Sequence, residues 1–287
     1  MEEFERTGCD VMVGAGGGKV IDTAKAAAEN LGGKPVVIIP TVASNDAPCS
    51  GVAVIYNEEG VVIKALLTRR NPDLVLVDTD VIAKAPARLL TAGMGDALAT
   101  WFETRACKRS GAKSMARGLC SNTAYMMSRL CYDLLLQHGE AALEAVKRGE
   151  SDEHLESVVE ANIYLSGIGF ESGGLAAAHA INDGFAQVPA AHGMYHGEKV
   201  AYGLLCQLLL EDAPKSEFDE VLRFCKAVGL PTTLAELGIT EVHEEELRRA
   251  ADAACVPTQS TKNVRADITP EEVYHAILRV DELGRQS

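Results

Sequence analysis

The stretch VMVGAGGGKVIDTAKAAAENLGG, residues 11–33, decides the reading of the fold. A short apolar run leads into a cluster of glycines, and the cluster opens a helical segment rich in alanine that stops at Gly32 and Gly33. Strand, glycine turn and helix in that order begin an α/β unit, and such a turn offers backbone N–H groups to an anion. The run is not GxGxxG, because Lys19 stands where the last glycine belongs. Nor is it a Walker A loop, since Val13 replaces the first glycine and Val20 the magnesium-holding hydroxyl residue. By residue type alone, a phosphate cradle and a plain tight turn fit equally well.

Outward from this stretch, PVVIIPT (35–41), GVAVIY (51–56) and DLVLVD (73–78) read as further strands, so residues 1–85 form an α/β unit, Rossmann-like but beginning partway through the usual pattern. The polar loop PTVASNDAPCSG (40–51) follows a buried strand and gathers Thr41, Ser44, Asn45, Asp46 and Ser50. Its hydroxyls suit a nicotinamide or ribose and Asp46 a substrate hydroxyl, although many polar loops at strand ends are only loops. After KAPARLL the apolar spacing turns helical, so residues 86–287 are expected to be an all-α domain. Helices are predicted at 95–111, 114–139, 174–185, 197–212, 217–230 and 270–283, with a loop at 255–270.

The net charge of -14 argues against nucleic acid or anionic membrane as a partner and favours a small molecule. The eight cysteines include no CxxC pair and read as reduced thiols. No apolar run is long enough to span a bilayer, and MEEFERTGCD lacks the regions of a signal peptide. A cytoplasmic location is the expectation.

Asp96 is predicted in the first turn of a helix, with Glu103 seven residues on along the same face, as supporting partner or solvated residue. His192 and His196 share a face if their segment is helical, and His179 belongs to a separate helix of small residues. Two imidazoles with one carboxylate and an open position make a catalytic zinc site, but histidines grouped in sequence are more often ordinary core or surface residues. His138, His154, His243 and His275 lie in charged helical stretches and are expected on the surface.

Taken in order, GAGGGKVIDTAKA, PTVASNDAPCS, GMGDALATWFE, GFESGGLAAAHAI and HGMYHGEKVAYG resemble the glycerol-oxidising members of the iron-containing alcohol dehydrogenase superfamily, which includes dehydroquinate synthase-like folds. The resemblance implies NAD-linked oxidation of glycerol or a related vicinal diol to dihydroxyacetone or its counterpart, by hydride transfer at a zinc ion (Zn2+). Its metal ligands fall on Asp96, His179 and His196, which also face the substrate, and its glycerol-contacting aspartate falls on Asp46. Its NAD positions fall on Gly17, Gly18, Lys19, Asp22, Thr41, Ser44, Ser50, Val52 and Tyr56, and His192 corresponds to a proton relay near the metal. A homo-oligomer is also implied.

Three departures stand out. Asn45 replaces a usual threonine beside the substrate, and Val20 another near the pyrophosphate. The first strands of the cofactor half, with the acidic residue for the adenosine ribose, have no counterpart in this sequence. The rival expectation is therefore an N-terminally shortened, catalytically impaired homologue that keeps a metal site or an oligomerisation role. A lyase of the same fold, or a dehydrogenase of a phosphorylated substrate, would need a basic pocket, and the metal motifs bring only Lys199 and Arg105 near.

Overall fold

The computed structural model describes residues 1–56 and 62–286. Helix α1 (Glu2–Thr7) precedes strand β1 (Met12–Gly16), helix α2 (Gly18–Asn30) and strand β2 (Val36–Pro40). β1 and β2 pair in parallel from Met12 opposite Val36 to Gly16 opposite Pro40. The short β5 (Leu74–Val75) adds to the far side of β2, giving the sheet order β1-β2-β5. A hairpin of β3 (Val52–Tyr56) and β4 (Val62–Leu67) stands apart as an antiparallel pair. α2 presses Ile21, Ala24 and Ala28 onto Val36 and Ile38 of the sheet. Strand alternation sends Val13 the other way, leaving it 55% exposed.

Beyond the short α3 (Thr79–Ile82) every element is helical: α4 (Ala87–Ser110), α5 (Asn122–Arg148), α6 (Glu153–Glu160), α7 (Ser166–Gly173), α8 (Ala177–Gly184), α9 (His196–Leu210), α10 (Lys215–Val228), α11 (Glu244–Ala254) and α12 (Pro270–Gln286), joined by short 3-10 turns. α4 is the axle, buried without interruption from Leu90 to Thr104 and packed against α5, α7 and α9. A helix without a polar face has to be enclosed on all sides, and one large apolar core does so. Among the described residues no helix is long and apolar enough to cross a membrane.

The structure corrects several expectations. The helix predicted from residue 114 starts only at Asn122, where the Ser121 side chain accepts from the Ala124 N–H; before it, Ser114 N–H bonds the Gly118 carbonyl in a turn that holds Arg117 at positive φ. Asp96 is not in a first turn but deep inside α4. DLVLVD pairs only through Leu74 and Val75, at one edge of the small sheet. His192 and His196 do not share a helix: His192 ends a 3-10 turn (Pro189–Ala191) and His196 begins α9. The sequence reading missed α1, α3, β4, the run from α6 to α7, and α11. In the α6–α7 run a π-helical segment (Ala161–Leu165) breaks the 3.6-residue spacing and Gly167, Gly169 and Gly173 dilute it.

Candidate active site

Three helices bring Asp96 (α4), His179 (α8) and His196 (α9) together, and their side-chain donor atoms lie within 4.8 Å of one another. Two backbone crossings make this possible. A Cβ at Gly197 would sit 1.8 Å from the Ala92 carbonyl oxygen, so only glycine lets α9 meet α4 beside Asp96. A Cβ at Gly203 would sit 2.4 Å from the Ala178 carbonyl oxygen, and that contact seats α8, with His179, on α9.

His179 is held from behind. Its Nδ1 lies 2.6 Å from Glu103 Oε2, and Glu103 Oε1 accepts the backbone N–H groups of Ala176 and His179 at 2.8 and 3.0 Å. Because a carboxylate accepts at Nδ1, that nitrogen carries a proton, and in the neutral ring Nε2 presents its lone pair forward. Forward lies Asp96 Oδ1, 3.4 Å from His179 Nε2 and 3.2 Å from His196 Nε2. Asp96 Oδ1 is fully buried and has no hydrogen-bond partner among the described residues. Lone pairs facing a buried carboxylate oxygen repel unless something positive lies between them. Ligand atoms about 2.0–2.1 Å from one ion at tetrahedral angles are separated by about 3.3 Å, so the donor set fits a divalent cation.

The electrostatics agree. Burial pushes the Asp96 carboxyl up, yet the imidazoles of His196 and His179 outweigh it and hold the group below the usual carboxylate range. Burial likewise opposes a charge on His179, and Glu103 with Asp96 reverses it, raising the imidazole well above its ordinary value. The site is built for one or more positive charges.

Asp46 joins the site from the α/β half. Its backbone N–H donates to Asp96 Oδ2 at 3.3 Å, and its Oδ2 accepts from Ser166 Oγ at 2.8 Å. Burial, and then the negative charge of Asp96, raise the Asp46 carboxyl well above the usual range.

The loop carrying Asp46 leaves β2 beside the glycine turn that leaves β1, with Thr41 N–H donating to the Gly16 carbonyl at 3.1 Å. Both loops sit at the carboxyl ends of parallel strands, where open α/β sheets bind ligands.

The chain as a whole has close counterparts. Residues 1–79 match the family model of iron-containing alcohol dehydrogenase. Glycerol dehydrogenase of Escherichia coli is 52% identical over 98% of this chain and 77% of its own length, and that of Thermotoga maritima 51% identical over 99% and 79%. The crystal structure of a probable glycerol dehydrogenase from Sinorhizobium meliloti superposes with a TM-score of 0.94 at 44% identity, covering 99% of this chain and 80% of that one. The chain belongs to the iron-containing alcohol dehydrogenase family.

As a family member it is an oxidoreductase, and the remaining residues singled out in the sequence can be placed on that frame. Gly17 caps α2 and Gly18 and Lys19 form its first turn. Thr41 and Ser44 are half-buried in the neighbouring loop, Ser50 and Val52 are buried, and Tyr56 ends β3 with its side chain outside the described residues. Asp22 is 5% exposed and lies 3.5 Å from the Lys25 ammonium. His192 is exposed, with Nε2 3.0 Å from the Ala186 carbonyl oxygen.

Lys25 was not singled out in the sequence, yet its buried ammonium donates to the carbonyls of Ala47, Ser50 and Val52 and pins the loop that carries Asp46. Its signal was a lysine on the inner face of an alanine-rich helix, where a cation needs a partner. Of the remaining histidines, His243 and His275 are exposed, whereas His138 and His154 are half-buried and contact each other through Nδ1 at 2.8 Å.

Proposed function

We propose that this protein is an NAD-dependent dehydrogenase of glycerol or a closely related vicinal diol, with a divalent cation, assigned as zinc, on Asp96, His179 and His196. The observation that carries the reading is the buried, unpartnered Asp96 Oδ1 facing two imidazole Nε2 atoms. When bound, the cation supplies the Lewis acidity that lowers the pKa of a substrate hydroxyl. When bound, NAD supplies the hydride acceptor.

The chain's own residues do the positioning. Glu103 fixes the tautomer and ring angle of His179. Asp46 accepts a substrate hydroxyl, orienting one carbon of the diol for transfer. His192, which is exposed, passes the released proton to solvent. Gly17, Gly18 and Lys19 offer the N-terminus of α2 to the pyrophosphate, and Thr41, Ser44, Ser50, Val52 and Tyr56 line the nicotinamide side. Asp22 acts through Lys25, by holding the loop.

A neutral substrate suits the site. Arg105 is committed to Glu217 and Glu211, with contacts of 2.6 and 2.9 Å, and burial lowers the Lys199 pKa. In this reading residues 1–85 serve the cofactor and 86–287 the metal, and the protein works as a cytoplasmic homo-oligomer. The eight cysteines, all unpaired, accord with a reducing compartment.

The test is to titrate NAD into the zinc-loaded chain and follow glycerol-dependent NADH formation in the same sample. Binding with turnover is expected. Zinc retention without NAD binding would instead identify an impaired homologue that keeps only the metal site. Stripping the metal and restoring Zn2+ or Fe2+ separately decides which ion supports turnover.

A further inference from the structure

The side chain of Asp46 does not stand alone. Ser166, fully buried at the start of α7, donates its hydroxyl proton to Asp46 Oδ2 at 2.8 Å, and Thr100, fully buried on α4, lies 2.7 Å from the same Ser166 oxygen. A serine has one proton to give, and once it is spent on the carboxylate the Thr100 hydroxyl has to be the donor to Ser166. The result is a directed chain from Thr100 to Ser166 to Asp46. It fixes Oδ2 as the anchored oxygen, and Asp46 Oδ1 makes no hydrogen bond among the described residues.

The same stretch of helix holds the rest of the loop. Asn162 in the π segment donates to the Ala43 carbonyl at 3.1 Å, and Glu171 accepts the Gly51 N–H at 2.9 Å. Residues 161–173 thus form a strut from the helical half that grips the substrate loop before, at and after Asp46.

We propose that Ser166, backed by Thr100, is a positioning residue for diol selectivity, anchoring one oxygen of Asp46 so that the other meets the second hydroxyl of a vicinal diol. The proposal rests on the assignment of Asp46 as the substrate contact made above. A substrate with a single hydroxyl makes no use of Asp46, so the chain from Thr100 is irrelevant to it.

Two matched substrates test this, 1,2-propanediol and 2-propanol, which share the secondary alcohol that is oxidised and differ only by the second hydroxyl. In the zinc- and NAD-loaded chain, Ser166→Ala is expected to lower kcat/KM for the diol roughly tenfold, mostly through KM, and to leave 2-propanol within about twofold. Thr100→Val, which keeps the shape and removes the donor, is expected to act in the same direction by about threefold, and Thr100→Ser to restore the parent ratio. Diol binding followed by saturation-transfer NMR should weaken in parallel, so the result does not depend on turnover alone.

A fall of both substrates by one common factor, in Ser166→Ala and Thr100→Val alike, would overturn the proposal and leave the hydroxyls as packing groups. Asp46→Asn is measured alongside. If it abolishes the preference for the diol and the hydroxyl variants do not, the positioning role alone is wrong. If Asp46→Asn itself leaves the preference intact, the substrate contact is wrong, and the positioning role falls with it.

Discussion

Two histidine pairs in this protein have nearly the same ring separation and opposite chemistry. His138 and His154 bring ring centroids to 5.1 Å between α5 and α6, and His179 and His196 to 5.3 Å between α8 and α9. In the first pair the two Nδ1 atoms face each other at 2.8 Å, so one tautomer donates, the other accepts, and both nitrogens are satisfied. In the second, Glu103 has taken His179 Nδ1, and both Nε2 atoms lie close to an Asp96 oxygen that makes no hydrogen bond among the described residues. Proximity of imidazoles is therefore a poor guide to a metal centre. What separates the pairs is where the remaining lone pairs go, and that is set by a buried carboxylate behind one ring and another in front of it.

The contrast can be broken most directly at His179. His179→Ala is expected to reduce bound zinc from one per chain to a small fraction and to cut glycerol oxidation by about a thousandfold or more, removing a ligand from a three-ligand site. Metal content after gel filtration, together with NADH formation, measures it, and a variant with stoichiometric zinc would erase the distinction between the pairs.

Next in size is Gly197→Ala. The added methyl would lie 1.8 Å from the Ala92 carbonyl oxygen, so α9 has to move off α4, with a loss of about 3 kcal/mol in unfolding free energy and weakened zinc retention. Denaturant melts with and without zinc report both effects. An unchanged midpoint would show that the helix crossing does not set the geometry of the second pair.

Glu103→Gln sharpens the contrast further, because the amide presents a weaker acceptor to His179 Nδ1. Zinc affinity is expected to fall about 10- to 100-fold, read by competition with a chelator. The parent protein should also bind zinc more tightly as pH rises from acid toward neutral. Glu103 and Asp96 raise the His179 pKa against the effect of burial, and the proton they favour has to leave before the metal can bind. Affinity independent of pH across that range would contradict a proton-coupled site.

The smallest effect belongs to the other pair. His154→Ala should leave zinc content and turnover unchanged and cost about 1 kcal/mol of stability, since His138 Nδ1 loses a half-buried partner. Loss of bound metal in this variant would mean that the satisfied pair is itself a ligand set.

Much of this was legible in the chain. The glycine turn, the parallel strands around it and the change to helical spacing after residue 86 follow from local pattern, and they gave the fold class. Asp96, His179, His196 and Asp46 came from resemblance, since nothing in their spacing distinguishes them from His138 or from an ordinary capping aspartate. The strut at 161–173 stayed hidden because a π segment and three glycines blur its period. Ser166 and Asn162 look like unremarkable small polar residues until the loop they hold lies across from them.

By itself, then, the sequence determined the elements and their order, because short-range periodicity and glycine placement act over a few residues. Only the tertiary structure decided which carboxylates are buried and what they face. Asp96 lies 83 residues from His179 and 100 from His196, and a burial cost or an unmatched lone pair exists only once close-packed helices have excluded water from around them.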